Sequence, residues 1–184
     1  MKKLISIIII AIVAVLVLML IPSHKNNTTL VAYFSATGNT RAVAERLANA
    51  IGADLFEIKP ESIYTATDLD YKNKASRASV EMANKDSRPA IADTVSDMAQ
   101  YKIVFIGFPI WWGREPSIID TFLTSYDFNG KTIIPFATSG STPTTTVAAE
   151  NMRTVLPNVN ILDGARFPVD VSADELKTWA GEWL

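Results

Sequence analysis

The sequence predicts an α/β domain built on a parallel sheet that helices cover on both faces. Three observations support this prediction. Short apolar runs rich in β-branched residues alternate with amphipathic helical patterns, and the spacing between runs suits the crossovers that parallel neighbours require. The run Ile103-Val104-Phe105-Ile106 is apolar throughout, as expected for a central strand buried on both faces. The fold should begin near Thr29.

Five runs are predicted strands, because each is short, apolar, rich in β-branched residues and followed by a turn signal. They span residues 29–34, 54–58, 103–108, 132–137 and 159–167. In a parallel sheet, ligands gather at the carboxyl ends of the strands. The loops that follow the strands are therefore the places to search for a functional site.

Three helical patterns have an apolar face and recognisable ends. The first spans 41–51 and stops at Gly52. The second spans 115–126, with Pro116 in its first turn, where the missing amide costs little. The third begins at the cap residue Ser172, has acidic residues in its first turn and continues to the C-terminus.

A hydrophobic segment precedes the predicted domain. The run from Leu4 to Ile21 is apolar except for Ser6, and as a helix it comes close to crossing a hydrocarbon core of roughly 30 Å. Lys2 and Lys3 precede it, so the positive-inside rule places the rest of the chain on the extracytoplasmic side of the membrane.

Retention of this segment is favoured over cleavage and secretion. The run is long for a signal-peptide core, and the residues after it, 22–25, offer no Ala-x-Ala-like cleavage site. We therefore divide the chain into a signal anchor with its linker, residues 1–25, and one domain, residues 26–184.

Composition excludes several classes of chemistry. The chain has no cysteine, and its one histidine, His24, precedes the domain, so neither a Ser-His nor a Cys-His pair is available there. No His/Cys/Asp/Glu cluster has metal-ligand spacing, and we expect no catalytic acid, base or metal site. All 19 acidic residues lie beyond residue 25, which makes nucleic acid an unsuitable partner.

The turn after the first strand resembles a phosphate-binding loop. Its hydroxyls, its glycine and the free amides of a helix start offer neutral donors to one phosphate; the residues concerned are Ser35, Thr37, Gly38, Asn39 and Thr40. Neither Gly-x4-Gly-Lys-Ser/Thr nor Gly-x-Gly-x-x-Gly occurs, so the expected ligand is a mononucleotide monophosphate. The alternative is an ordinary helix cap and turn.

The loop after the third strand contains two adjacent tryptophans. It reads Pro109-Ile110-Trp111-Trp112-Gly113, and a loop cannot easily bury two indoles unless a planar ligand covers them. The alternative is that one tryptophan fills the core while the other lies on the surface. The loop after the fourth strand, Thr138-Ser139-Gly140, should reach the same edge of the sheet.

Together, these three loops make the chain resemble the flavodoxin family over residues 29–184. The Phe34–Thr40 motif is similar to the flavodoxin phosphate loop, and the Trp-Trp-Gly loop is similar to the one that borders the flavin in a bacterial subgroup. The segment from Phe128-Asn129-Gly130-Lys131 to Gly140 is similar to the fourth-strand region of the same subgroup.

The resemblance implies a three-layer sandwich with strand order 2-1-3-4-5 and a noncovalently bound FMN. It assigns the Ser35–Thr40 turn to the phosphate, Pro109 to Gly113 to the flavin ring, and Thr138, Ser139 and Gly140 to its pyrimidine edge or ribityl chain. It also gives the peptide at Trp112-Gly113 a role, because a glycine peptide reorients at small strain and can accept a hydrogen bond from the partly reduced flavin.

The sequence departs from familiar flavodoxins in two places. Residues 138–142 contain no aromatic that could cover the outer face of the flavin, which leaves that face open to a substrate. The polar segment 60–90 is longer than a plain crossover, and the likeness suggests a helix flanked by loops beside the flavin. It contains Tyr64, Asp68, Leu69, Tyr71, Arg77, Glu81, Arg88 and Pro89.

The expected function is electron transfer through FMN, with a redox partner protein or a small electron acceptor. The alternative is an FMN-dependent NAD(P)H:quinone or small-molecule reductase. The missing aromatic cover favours the reductase, whereas the small size of the chain and the lack of a nicotinamide motif favour the carrier. A binding module that has lost the flavin is a third hypothesis, and the intact phosphate loop and both tryptophans argue against it. Arg77 and Arg114 could attract an anionic donor, or they could be ordinary surface charges.

Overall fold

The computed structural model describes residues 27–139 and 144–184. Six strands and five helices follow one another in the described residues, with one 3-10 turn, Met98–Gln100, before the third strand. The strands are β1 (Thr29–Tyr33), β2 (Asp54–Glu57), β3 (Ile103–Pro109), β4 (Thr132–Thr138), β5 (Asn160–Ile161) and β6 (Ala165–Phe167). The helices are α1 (Asn39–Ile51), α2 (Arg77–Ala83), α3 (Ser117–Thr124), α4 (Thr146–Val155) and α5 (Ala173–Ala180).

The sheet is parallel, and its strand order confirms the prediction. The order is β2-β1-β3-β4-β5, with β6 also paired to β4. In the register, Val31 lies beside Leu55 on one side and Phe105 on the other, and Phe105 lies beside Ile134. Since all neighbours run in one direction, the loops after β1, β3 and β4 leave the sheet at the same edge.

Two separate cores lie on the two faces of the sheet, which gives three layers. One core joins Leu30 and Val104 to α3 and α4. The other joins Val31 and Phe105 to α1 and α5. Because side chains alternate across a strand, β1 and β3 each contribute to both cores, as the apolar run in β3 predicts.

The fifth predicted strand, 159–167, is interrupted, and the structure corrects this prediction. Ile133 pairs with Ile161, but Phe136 pairs with Ala165, so the outer strand has one extra residue between the two pairs, as in a bulge. Pro135 lies opposite this bulge and has no N–H to donate to the ladder. Gly164 has a φ of +70°, and a Cβ there would lie 1.8 Å from the carbonyl oxygen of Pro135.

The helices differ from the predictions in two details. Pro116 is the N-cap of α3 and has an extended backbone, so the helix begins at Ser117 and the placement of Pro116 in its first turn was wrong. Helix α4 was not predicted. Ser172 caps α5 as expected, since its hydroxyl accepts from the amide of Glu175 at 3.1 Å.

The predicted membrane segment, 1–25, lies outside the described residues. Within residues 27–139 and 144–184, no helix has the length and apolarity needed to span a bilayer. The segment therefore stays a prediction from the sequence.

Candidate functional site

Thr138, at the end of β4, connects all three loops that the sequence singled out. Its hydroxyl lies 2.8 Å from the hydroxyl of Thr40 in the first loop, and its carbonyl accepts from the amide of Ile110 in the tryptophan loop at 3.2 Å. Both threonines are buried. The convergence expected at the carboxyl edge of the sheet is thus made by direct contacts.

The first loop presents the start of α1 to solvent. Gly38 occupies the N-cap position with a φ of +90° and has no side chain to cap the helix, while its amide donates to the Ser35 hydroxyl at 3.1 Å. Thr37, Gly38 and Asn39 are exposed. A helix start leaves its first amides without intrahelical partners, and its dipole favours an anion there.

The tryptophan loop folds as a tight two-residue turn. The amide of Trp111 donates to the carbonyl of Arg114 at 2.9 Å, and the amide of Arg114 donates back at 3.0 Å. Between them, Trp112 and Gly113 have φ values of +47° and +82°, as in hairpin turns that need positive φ at both central residues. An aromatic residue with positive φ is uncommon, and such backbones concentrate at functional sites.

The two indoles have different surroundings. Trp111 is partly buried against the core and meets the rings of Phe34 and Tyr64 edge to face, with centroids 5.5 and 5.3 Å away. Trp112 is 52% exposed. One tryptophan therefore packs against the core while the other lies on the surface, which is the alternative to a ligand site. Both indoles nevertheless line the same cavity.

That cavity has a volume of about 510 Å³, within the range of small-molecule sites. Five of the predicted site residues are in its wall: Thr37, Pro109, Ile110, Trp111 and Trp112. Ser35 lines a smaller adjoining cavity of about 250 Å³, and Ala36 lies in the walls of both. The other described residues of the predicted set belong to the same three loops but do not line the larger cavity. They are Gly38, Asn39, Thr40, Gly113, Thr138 and Ser139.

The fourth-strand loop is described only as far as Ser139. The carbonyl of Ser139 accepts from the Arg166 guanidinium at 2.6 Å, which ties this loop to β6. Gly140 lies outside the described residues, so its predicted contact with a ligand stays a prediction.

Three further residues of the cavity wall come from the 60–90 segment, and the predicted set did not include them. They are Leu69, Tyr71 and Ala78. The segment folds as α2 between loops and lies beside the cavity, as the resemblance suggested. From the sequence, Leu69 and Tyr71 were named within this segment without being assigned to a ligand, and Ala78 was not named.

Helix α2 supports Trp111 through Tyr64. The Tyr64 hydroxyl donates to Glu81, whose carboxylate also accepts from Arg77 at 2.7 Å, and the Arg77 guanidinium lies 4.1 Å from the Tyr64 ring centroid. Burial, followed by the contact with Glu81, raises the pKa of the Tyr64 hydroxyl well above its ordinary value. Tyr64 therefore stays protonated, and Arg77 is a structural cation.

A buried charged cluster lies directly after the tryptophan turn. Arg114 contacts the carboxylates of Glu115 and Asp120 at 3.3 and 3.8 Å and the carbonyl of Met82 in α2 at 3.4 Å. These contacts hold the end of the turn against two helices. Arg114 and Arg77 are thus both engaged within the protein, which favours the structural reading of these two arginines.

The carboxyl of Glu115 is fully buried, and its protonation is unusual. Burial raises its pKa to about 7, and the Asp120 carboxylate adds to the shift, while Arg114 and the Asn151 amide oppose it. Burial also raises the pKa of Asp120. Among the described residues, no group bonds to the buried Oδ1 of Asp120.

We expect Glu115→Gln to stabilise the folded chain at alkaline pH. A carboxyl whose pKa rises from 4.5 to about 7 on folding contributes stability that is complete below about pH 4.5 and is lost as pH rises through 7. Since glutamine stays neutral, the free energy of unfolding of the variant should exceed that of the wild type by about 3 kcal/mol near pH 8, with a smaller difference near pH 5. Urea unfolding at both pH values measures this difference. Glu150→Gln, an exposed change on α4, is the control, and a pH-independent difference would contradict the prediction.

The comparisons with known proteins agree with this fold. The family model described as Flavodoxin matches residues 28–183. A provisionally assigned flavoprotein from Bacteroides uniformis is 46% identical, with a TM-score of 0.80, over 85% of this chain and 99% of its own. A second one, from Bacteroides eggerthii, is 41% identical, also with a TM-score of 0.80, over 84% of this chain and 96% of its own.

A more distant structure is similar in fold alone. A flavoprotein from Lactobacillus acidophilus, solved in complex with FMN, is 24% identical, with a TM-score of 0.65, over 84% of this chain and 99% of its own. A comparison with curated protein sequences gives no significant match.

Proposed function

Since the chain belongs to the flavodoxin family and its cofactor is FMN, we propose that it transfers electrons between redox partner proteins through this noncovalently bound flavin. The observation that carries the proposal is the cavity of about 510 Å³ that Thr37, just before the N-cap of α1, and Trp112 both line. The start of α1 suits a dianionic phosphate, and the indole of Trp112 suits a planar aromatic ring.

The residues present fit FMN. The turn from Ser35 to Thr40 would hold the phosphate with neutral donors, and Gly38 leaves space there, since a Cβ at this position would meet no atom within 4 Å. Pro109, Ile110, Trp111, Trp112 and Gly113 would border the ring. Thr138, Ser139 and Gly140 would lie nearest its pyrimidine edge or ribityl chain.

When bound, FMN supplies one- and two-electron chemistry, and the protein supplies binding, orientation and electrostatics. Trp111 is fixed by Phe34 and Tyr64 and gives the cavity a rigid apolar wall that excludes water. The Trp112-Gly113 turn is the polar backbone element at that wall, and both of its residues already have positive φ. A peptide there can turn its carbonyl or its amide toward a ligand at small cost because glycine tolerates either arrangement.

An FMN-dependent reductase is the second candidate, and one observation favours it. The cavity extends from Trp112 to the wall formed by Leu69, Tyr71 and Ala78, where a planar quinone or a nicotinamide could lie. A reductase accepts electrons from a pyridine nucleotide directly, whereas a carrier needs a protein donor.

Anaerobic titration distinguishes the two functions. We expect the FMN-loaded chain to keep its oxidised absorbance band when NADH or NADPH is added and to lose it when dithionite is added, because a carrier takes its electrons from a protein donor. The absorbance spectrum after each addition is the measurement. Rapid bleaching by either pyridine nucleotide would contradict the carrier and support the reductase.

We also propose that residues 1–25 anchor the chain in a membrane with the domain on the extracytoplasmic side. The apolar run and the two lysines before it support this arrangement. Protease added to intact cells or spheroplasts should digest the domain and leave a membrane-associated N-terminal fragment. Recovery of the full chain in the cytosolic fraction would refute the anchor.

A further inference from the structure

We propose that Tyr71 contacts the flavin ring and supplies the second aromatic wall of the site. This inference rests on the proposed FMN function and deepens it. It assigns a flavin-contacting role to the crossover between β2 and β3, rather than to the loop after β4, whose residues 138–142 contain no aromatic.

Exposure is the first observation that supports Tyr71. Among the described residues, eight large hydrophobic side chains are exposed, and six of them are aliphatic. The two aromatic ones are Tyr71, at 71%, and Trp112, at 52%, and both line the cavity of about 510 Å³. Exposed rings lose the stabilisation that burial would give, and a planar ligand between these walls would restore it for both.

The backbone around Tyr71 is fixed although its side chain is exposed. The carboxylate of Asp68 accepts from the amide of Thr65 at 2.8 Å, and the carbonyl of Asp68 accepts from the amide of Ala78 at 3.0 Å. A further hydrogen bond spans Tyr71, since the carbonyl of Asp70 accepts from the amide of Asn73 at 3.1 Å. The loop therefore holds Tyr71 by its neighbours' hydrogen bonds, and the ring itself remains available for a ligand.

The neighbours of Tyr71 also suit a planar ligand. Leu69 packs against the core on one side of the loop, and Ala78 is buried and small; both line the same cavity. The Lys72 ammonium lies 5.9 Å from the Tyr71 ring centroid, which places a positive charge beside the proposed flavin contact. Such a charge would favour a ligand that carries negative charge at this wall.

The test compares Tyr71→Ala, Tyr71→Phe and Val80→Ala in the full-length chain kept in mild detergent. Val80 is the matched control, since it is 55% exposed on α2 and outside the cavity wall. We expect Tyr71→Ala to weaken FMN and riboflavin equally, by about tenfold, and to reduce the quenching of flavin fluorescence. Tyr71→Phe and Val80→Ala should bind within about twofold of the wild type, since the aromatic face is retained in both.

Three outcomes would overturn the inference. Wild-type affinity and quenching in Tyr71→Ala would exclude a flavin contact. Unchanged FMN binding with a higher KM for a quinone would place Tyr71 in a substrate site instead. Tyr71→Ala could also lower the melting temperature of the apo chain in proportion to its loss of FMN affinity. If Tyr71→Phe then restored neither quantity, the role of Tyr71 would be structural only. If the wild type itself fails to bind FMN, the proposed function fails first, and this result is distinct from the other three.

Discussion

Trp112→Ala is expected to weaken the binding of FMN and riboflavin alike by about 100-fold. Burying an aromatic ring against a ligand contributes about 1.5–3 kcal/mol, and favourable ring geometry adds about 0.5–1.5 kcal/mol. Since 1.4 kcal/mol is about tenfold in affinity, losing the indole should cost about two orders of magnitude. Equal losses are expected because Trp112 is assigned to the ring, which both ligands share. Quenching of flavin fluorescence measures both affinities.

The backbone of Trp112 provides a control for this experiment. Its φ of +47° is unfavourable for any residue with a Cβ, so Trp112→Gly should leave the melting temperature of the apo chain unchanged or slightly raised while weakening FMN as much as alanine does. Trp112→Phe should recover most of the affinity. Near-wild-type FMN affinity in Trp112→Gly would show that the indole does not contact the flavin.

Thr37→Glu is expected to weaken FMN by about 1,000-fold and to change riboflavin binding little. Thr37 is exposed and lines the cavity one residue before the N-cap of α1, so a carboxylate there would oppose the phosphate. At about 4 Å and a surface-like dielectric, two negative charges repel by about 4 kcal/mol, which is about three orders of magnitude. Thr37→Ala removes only a hydrogen-bond donor and should weaken FMN by about tenfold.

The folding of Thr37→Glu is not expected to suffer, since acidic groups stabilise helix N-termini. Thr178→Glu, on the exposed side of α5, is the matched control for the added charge and should bind FMN like the wild type. Equal losses for FMN and riboflavin in Thr37→Glu would contradict the phosphate assignment, because riboflavin has no phosphate.

Those features of the fold that depend on hydrophobic periodicity could be predicted from the sequence. The positions of β1 to β4, the capping of α5 by Ser172 and the burial of β3 all follow from local patterns, whereas the strand order was implied by the resemblance to the flavodoxin family. Helix α4 was missed because its buried face is made largely of alanines, Ala148 and Ala149, with Met152, and alanine gives little hydrophobic contrast. The break between β5 and β6 depends on Pro135 of the neighbouring strand, a long-range contact that the pattern of the outer strand does not contain.

The site shows the same division between local and long-range information. The turn before α1 and the tryptophan loop are local features, and the sequence indicated both, although the N-cap at Gly38 and the positive φ of Trp112 required the structure. The contact between Thr40 and Thr138 joins residues far apart in the chain, so their side-by-side position required the fold. Tyr71 lines the cavity because hydrogen bonds of Asp68 and Asp70 fix the conformation of its loop. Hydrophobic periodicity does not predict the conformation of such a loop.

The most direct test of the central claim is titration of the full-length apo chain, in mild detergent, with FMN and with riboflavin. Fluorescence quenching gives both affinities, and the absorbance of the purified complex gives the stoichiometry. The predicted result is one FMN per chain, bound at least about 100-fold more tightly than riboflavin, because several donors of the Ser35–Thr40 turn bond to a charged phosphate. Equal affinity for the two flavins, or no quenching by either, would contradict the claim.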